Sequence, residues 1–314
     1  MKDLRIVFMG TPDFAVAILK KLLEENYTIA GVITAPDRPA GRGRKLNTSA
    51  VKKFALEKEL PILQPTNLKD PLFLEELKAL QADIQIIVAF RMLPKVVWNL
   101  PPLGTFNLHA SLLPDYRGAA PINWAIINGE TKTGVTTFFL DDKIDTGEII
   151  LQKETAIEPT ETVGVLHDKL MHLGSELVIE TIELIKTGKV RTIQQPEKVA
   201  KSAYKIHTTT CKINWNDSLE TIYNLIRGLN PYPAAWTLFT NDGKEDKMKL
   251  FDVSMENCNH ENSIGTIISD KKTMKIAAKG GYLHVLSLQL PGKKRMEVSS
   301  LLNGYSFMND AKTH

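Results

Sequence analysis

Short runs of aliphatic and β-branched residues alternate along the first third of the chain with segments whose apolar positions recur every three or four residues. Residues 4–9, 28–34 and 84–90 predict strands, and residues 13–24, 49–60 and 72–80 predict helices. This βα alternation predicts an α/β fold, with an open, mostly parallel, Rossmann-like sheet and helices on both faces. Ligands of such sheets sit beyond the carboxyl ends of the strands, so the site is expected where the strands stop.

Two further strand patterns, 105–109 and 134–140, bracket a helical one at 121–127. An amphipathic helix is predicted over 162–186 and ends at Gly188. Residues 189–205, with Pro196 and mixed charge, read as a linker. Beyond one helical pattern at 218–228, short strands and turns predict a small C-terminal β-barrel. The expected domains are therefore 1–188, 189–205 and 206–314.

Composition narrows the class. The chain has 314 residues, 43% hydrophobic and 24% charged, which excludes disordered and collagen-like sequences. The net charge of +3 is too small for non-specific coating of nucleic acid, so any basic partner site must be local. Residues 1–204 carry 25 basic and 25 acidic side chains and residues 205–314 carry 14 and 11, so the excess is C-terminal. Two distant cysteines, Cys211 and Cys258, suit neither a disulfide framework nor a thiolate zinc site and point to a reducing compartment. No apolar stretch approaches the roughly 18 residues that span a bilayer, and the N-terminus has no targeting pattern. A cytoplasmic protein without a membrane partner is expected.

The turn after the first strand, Met9-Gly10-Thr11-Pro12-Asp13-Phe14, invites a dinucleotide-binding reading, with Asp37 as the ribose acid. The pattern fails on its chemistry. Pro12 removes a donor, and Phe14 and Ala15 put side chains where a pyrophosphate needs bare backbone. A tight turn opening a helix is the better reading, and neither nicotinamide nor flavin is expected. His167 and His172 lack metal-ligand spacing, so no metal is expected either.

Strand alternation places Asn107 and His109 on one face, with Leu108 on the other. An amide and an imidazole together can hold an oxyanion and move a proton. The Asp-rich turn Leu140-Asp141-Asp142-Lys143-Ile144-Asp145-Thr146-Gly147 follows the next strand, and Asp145 is the acid that could orient His109. A packed strand histidine and a solvated turn would look the same at this level. No serine or cysteine is set in an elbow motif beside the histidine, which favours direct transfer to an external nucleophile over a covalent acyl-enzyme.

The run Asn107-Leu108-His109-Ala110-Ser111-Leu112-Leu113-Pro114-Asp115-Tyr116-Arg117-Gly118-Ala119-Ala120-Pro121 strongly resembles the folate-dependent formyltransferases, and Ile144-Asp145-Thr146-Gly147 occupies the place of that family's second motif. Gly10-Thr11-Pro12, the segment from Pro36 to Lys45, and Pro291-Gly292-Lys293-Lys294 are similar to the branch that formylates an aminoacylated tRNA. The resemblance covers nearly the whole chain. It implies formyl transfer from the co-substrate 10-formyltetrahydrofolate to the α-amino group of methionine on initiator tRNA, by a monomer. It implies catalytic roles for Asn107, His109 and Asp145. Ser111, Leu112, Leu113 and Pro114 would line the folate pocket, with Arg91 and Met92 beside it. Arg91 stands where the family has other residues, and either faces a folate glutamate or pairs with a surface acid. Lys143 replaces a usual glycine. A glycinamide ribonucleotide or amino-sugar formyltransferase, or an inactive RNA-binding relative, are the alternatives.

Arg38, Arg42, Arg44 and Lys45 fall within eight residues that contain no acid, with Gly41 and Gly43 between them. Alone this is a solvated charge run. With the resemblance it is a mobile basic loop for the acceptor stem. A second basic set, Lys201, Lys205, Lys212 and Lys293-Lys294-Arg295, lies in the linker and the β-rich part, whose barrel resembles an oligonucleotide-binding fold, and would hold the tRNA backbone.

Overall fold

The structure, a computed structural model, describes residues 4–40, 45–197 and 201–314. The chain opens with strand β1 (Arg5–Gly10), helix α1 (Asp13–Glu24) and strand β2 (Thr28–Ile33). A short hairpin of β3 (Arg38–Ala40) and β4 (Lys45–Asn47) leads to α2 (Ala50–Glu57), β5 (Ile62–Leu63), α3 (Pro71–Ala79) and β6 (Ile84–Val88). Then come α4 (Lys95–Trp98), β7 (Thr105–His109), β8 (Arg117–Gly118), α5 (Pro121–Ile127), β9 (Lys132–Phe139), β10 (Ile149–Ala156) and α6 (Val163–Lys186). Helices α2 and α3 begin on side-chain caps: the Ser49 hydroxyl accepts the Lys52 N–H, and Asp70 accepts that of Leu72 ahead of Pro71.

The main sheet has the order β10-β9-β7-β6-β1-β2-β5. Strands β5, β2, β1, β6 and β7 are parallel, as the alternation predicts, and their apolar runs are buried because helices cover them. The order reverses on either side of β1, which places the topological switch between β1 and β6. At that point a Cβ on Gly10 would lie 2.5 Å from the Ala15 Cβ and 3.0 Å from the Val88 carbonyl oxygen. The glycine therefore serves close strand–helix packing.

Strand β9 runs antiparallel to β7, with Phe106 opposite Phe139 and His109 opposite Thr136. β10, which the hydropathy pattern does not signal, alternates exposed and half-buried positions after its first two residues and closes the sheet.

After β11 (Ser202–Ala203) and α7 (Leu219–Leu229), the remainder is mostly β-structure: β12 (Ala235–Asn241), β13 (Lys244–Leu250), β14 (Val253–Asn257), β15 (Ile267–Ser269), β16 (Met274–Ala278), β17 (Gly281–Val285), β18 (Ser287–Gln289), β19 (Met296–Glu297), helix α8 (Val298–Leu302) and β20 (Lys312–Thr313). Two antiparallel sheets, β19-β18-β13-β12-β20 and β14-β17-β16-β15, meet through the bend from β13 to β14 and through the Thr266–Lys312 bridge. Ile222, Ile226, Phe239, Met248, Leu283 and Leu288 fill the space between them and α7. This is a small antiparallel β-domain, as the short strands and turns predict.

The backbone forms two compact units. One comprises Met1–Gly118, Thr133–Thr155 and His167–Ser202; the other comprises Ala119–Lys132, Ala156–Leu166 and Ala203–His314. Within the second, Asn123 donates to the Gly228 carbonyl at 2.8 Å, and the Arg227 guanidinium donates to the Glu161 carbonyl at 3.1 Å. Two segments that precede α7 by many residues are thus part of its surroundings.

Candidate active site

Strand β7 carries Thr105, Asn107 and His109 on one face, while Phe106 and Leu108 point to the other. Leu108 lies against Gly174 of α6, where an added Cβ would come within 2.8 Å of its Cδ2. The strand is thereby held from behind, and its polar face is fixed.

His109 is buried, and its Nε2 lies 2.9 Å from the Tyr116 carbonyl oxygen. A carbonyl only accepts, so Nε2 carries a proton. The other ring nitrogen, Nδ1, faces Asp145 Oδ2 at 3.8 Å, an ion-pair distance beyond hydrogen-bond range. Asp145 Oδ2 accepts the Gly118 N–H at 2.9 Å. The bond that orients the imidazole thus comes from Tyr116, and the Asp145 carboxylate sits across a short gap from the free nitrogen. Asn107 makes no side-chain hydrogen bond among the described residues, and its Oδ1 is buried without a partner. A buried acceptor left unpaired costs about 1–3 kcal/mol, which a ligand donating to it would recover.

Asp145 reaches this place by a fold-back. Because β9 is antiparallel, its end lies beside the start of β7, with the Leu140 N–H donating to the Thr105 carbonyl at 2.9 Å. The turn then returns over the sheet, with Asp145 at φ 54° and Gly147 against Phe139. Gln195 pins it: its Nε2 donates to the carbonyls of Asp145 (3.2 Å) and Gly147 (2.7 Å), and its Oε1 accepts Arg117 Nη2 at 2.7 Å. Gln195 lies in the segment read as linker, and nothing in its local sequence marks it.

The segment 111–114 is held next to this face. Thr136 Oγ1 donates to the Ser111 carbonyl at 2.6 Å and accepts the Leu113 N–H at 3.1 Å. Gln152 donates to the Leu113 carbonyl at 2.8 Å and to Thr136 at 2.9 Å. The Ser111 hydroxyl donates to the Asp115 carbonyl at 2.7 Å, and Leu113 packs with Phe138 and Ile149. Leu112 and Pro114 are half-buried. Thr136 and Gln152 escape a sequence reading because they are ordinary polar residues of strands; Tyr116 and Arg117 lie inside the fifteen-residue motif.

Arg91 donates to the backbone carbonyls of Thr66, at 3.0 Å, and of Pro65. Its partners are main-chain oxygens, so the alternative of a surface acid is corrected. Burial and the nearby Arg38 charge hold its guanidinium below the usual range. Met92 beside it is 63% exposed.

Arg38 opens the β3–β4 hairpin opposite Asn47 and is exposed. The feet of this hairpin are anchored. Lys52 donates to Asp37 Oδ2 at 2.5 Å, Gln64 donates to Asp37 Oδ1 at 3.1 Å, and the Thr34 and Ser49 hydroxyls share a 2.7 Å hydrogen bond. The Lys52 and Gln64 bonds hold the Asp37 carboxyl below the ordinary carboxylate range. Arg42, Arg44 and the Lys45 side chain lie outside the described residues. In the second unit Lys205, Lys293 and Lys294 are exposed, whereas Arg295 pairs with Asp252 and lies over Phe251. Among the described residues no group of three metal-ligating side chains gathers, and no helix is long and apolar enough to cross a membrane.

Known proteins place this architecture. The model of the formyl transferase family matches residues 4–182, and that of the formyl transferase C-terminal domain matches residues 205–306. A methionyl-tRNA formyltransferase of Flavobacterium johnsoniae is 60% identical over 315 residues, covering 100% of both chains. One of Bacteroides fragilis is 54% identical over 97% of this chain and 96% of its own. Among solved structures, an N-formyltransferase from Helicobacter canadensis in complex with folinic acid and dTDP-3-aminofucose is similar in fold, with a TM-score of 0.66 at 21% identity, over 90% of this chain and 98% of that one. HypX from Aquifex aeolicus in complex with tetrahydrofolic acid gives a TM-score of 0.64 at 16% identity, over 96% of this chain and 47% of that one. With both family models matched in order, and with relatives of this identity along its whole length, the chain belongs to the formyl transferase family, among its methionyl-tRNA formyltransferases.

Proposed function

We propose that this enzyme transfers the formyl group of 10-formyltetrahydrofolate to the α-amino group of methionyl initiator tRNA, giving N-formylmethionyl-tRNA for translation initiation. The observation that carries this reading is the unpaired carboxamide of Asn107 on the same strand face as His109, across from Asp145. The amine nitrogen attacks the formyl carbon, a C–N bond forms, and the carbonyl electron pair moves onto oxygen. Asn107 and a protonated His109 meet that developing charge, and Asn107 Oδ1 is placed to accept an N–H of the attacking amine. Asp145, facing the free His109 nitrogen across 3.8 Å, assists the transfer of the amine's proton. The bond from the formyl carbon to the folate nitrogen then breaks, and that nitrogen leaves with the proton.

Ser111, Leu112, Leu113 and Pro114, with Arg91 and Met92, contact the folate in this reading, and residues 1–188 carry the chemistry. Residues 206–314, with Lys205 at the end of the linker, hold the tRNA backbone through Lys293 and Lys294. Arg38, Arg42, Arg44 and Lys45 engage the acceptor stem. The enzyme works as a cytoplasmic monomer, with all three catalytic groups on one chain. Incubation with 10-formyltetrahydrofolate and methionyl initiator tRNA should yield formylmethionine on hydrolysis of the product. Formylation of glycinamide ribonucleotide or an amino sugar instead would overturn the tRNA assignment.

The basic hairpin offers a sharper check. Arg42→Ala should raise KM for charged tRNA, spare folate binding, and flatten the log–log salt dependence of tRNA binding by roughly 0.7–0.9. An unchanged kcat/KM for charged tRNA would remove the hairpin from the interface.

A further inference from the structure

Tyr232 is 82% exposed, more than any other large apolar or aromatic side chain among the described residues. Its ring and hydroxyl take part in no hydrogen bond or ring interaction there. The backbone that carries it is the opposite of free. Asn230, buried, donates through Nδ2 to the Phe251 carbonyl at 3.1 Å and to Asp252 Oδ1 at 3.0 Å. The Gly164 N–H donates to the Asn230 carbonyl at 3.1 Å, and the Ala234 N–H to that of Leu229 at 2.9 Å. Lys249 Nζ reaches the Pro233 carbonyl at 3.3 Å. Pro231 and Pro233 restrict the chain on either side. A tyrosine ordinarily buries its ring and leaves its hydroxyl wet. Here a tethered loop presents the whole ring to solvent.

The charge around it is positive. Lys249 stands on one side, and on the other Arg295 Nη1 approaches Asn230 Oδ1 at 3.4 Å, directly after the exposed Lys293 and Lys294. On the outer face of the β12–β13 pair, Lys249 lies opposite Trp236. The Trp236 ring holds the Lys247 ammonium at 3.8 Å from its centroid and that of Lys212 at 5.8 Å. Of the acids near the strip, Asp252 is engaged by Arg295 and Glu245 by His314, while Asp246 accepts the Lys247 N–H at 3.1 Å. An exposed ring on a loop that Lys249 and Arg295 touch suits a nucleic-acid strand, in which bases stack and phosphates meet ammonium groups.

We infer that Tyr232 is a base-stacking platform of the second unit, taking an unpaired nucleotide of the tRNA while Lys247, Lys249 and Lys212 meet the adjoining phosphates. The inference rests on the tRNA reading above and extends it to a defined residue. A stack uses the π-face and no charge, so its loss lowers affinity without changing the salt slope. The lysines do the reverse.

Equilibrium binding of uncharged initiator tRNA, measured across a salt series, tests this without the formylation chemistry. Tyr232→Ala should weaken binding by about 5- to 150-fold, the range of one base–aromatic stack, with the salt slope kept. Tyr232→Phe and Tyr232→Trp should stay within about twofold of the parent, because stacking needs a ring and not a hydroxyl. Lys247→Ala should lower the slope by roughly 0.7–0.9. A thermal melt of Tyr232→Ala matching the parent confirms that the fold is intact. Binding by Tyr232→Ala within twofold of the parent overturns the inference, as does a loss that Tyr232→Phe shares. Failure of the parent to formylate methionyl-tRNA while it still binds RNA in this pattern would sink the proposed reaction and leave the stack standing.

Discussion

Replacing Asn107 or His109 by alanine is expected to lower kcat for formyl transfer by roughly 10²- to 10³-fold each, equivalent to about 2.7–4 kcal/mol of transition-state stabilisation. In the proposed reaction both residues face the position where an oxyanion forms and neither binds the unreactive ends of folate or tRNA, so KM values should move little. The two losses should be less than additive in the double variant, because the groups act on one charge. The stability effects should differ from the kinetic ones. Asn107→Ala removes a buried acceptor that has no partner, so its melting temperature should equal or exceed that of the parent. His109→Ala leaves the Tyr116 carbonyl without the ring nitrogen 2.9 Å away and opens a cavity, so it should melt earlier. Steady-state kinetics and thermal melts on the same preparations separate these outcomes. Near-parental turnover in both variants would end the catalytic assignment.

Gly147→Ala should be the most damaging substitution of a single small residue at this site. A Cβ there would fall 1.7 Å from the Phe139 carbonyl oxygen and 2.8 Å from its carbon, which is backbone and cannot rotate away. Relief requires the turn to move off β9. That strains the Phe139 N–H bond to the Glu148 carbonyl, now 3.0 Å, and the 2.7 Å bond from Gln195 to the Gly147 carbonyl. The expected cost is more than about 3 kcal/mol, in the range of severe overpacking. Asp145, two residues earlier, would shift with the turn, so activity should fall further than the loss of folded protein explains. Gly304→Ala is the control: nothing lies within 4 Å of its Cβ position, and the change should stay within about 0.5 kcal/mol. Chemical denaturation of the two variants gives the comparison, and equal midpoints would refute the close-contact argument.

Much of the main sheet was legible because its residues encode periodicity directly. The 13–24 and 121–127 helices and the 105–109 strand appear with those bounds, and Gly188 ends α6 with φ 66° just after Lys186. The parity that puts Asn107 and His109 on one face needs only the two-residue repeat of a strand. Other features were not legible, for reasons that share one cause. Past its two buried isoleucines β10 carries polar and charged residues, among them Gln152, Lys153 and Glu154, so its local pattern resembles a loop. Gln195 is one glutamine in a polar connector, yet it holds the Asp145 turn from fifty residues away. The partners of Arg91 are the carbonyls of Thr66 and Pro65, which no local pattern places beside it. The grouping of 119–132 and 156–166 with the second unit depends on what α7 offers them, such as the Gly228 carbonyl, and no composition shift announces it.

From its own string of residues this protein determined its secondary-structure order, the shared face of Asn107 and His109, and the motifs that mark its family, because each depends on local sterics, alternation or residue identity. Tertiary structure alone decided that β9 runs antiparallel, that the following turn folds back to set Asp145 3.8 Å from His109, and that Tyr116 orients the imidazole. Those outcomes depend on hydrogen bonds between segments whose encounter no local pattern specifies, and on a carboxamide left unpaired only because of what surrounds it.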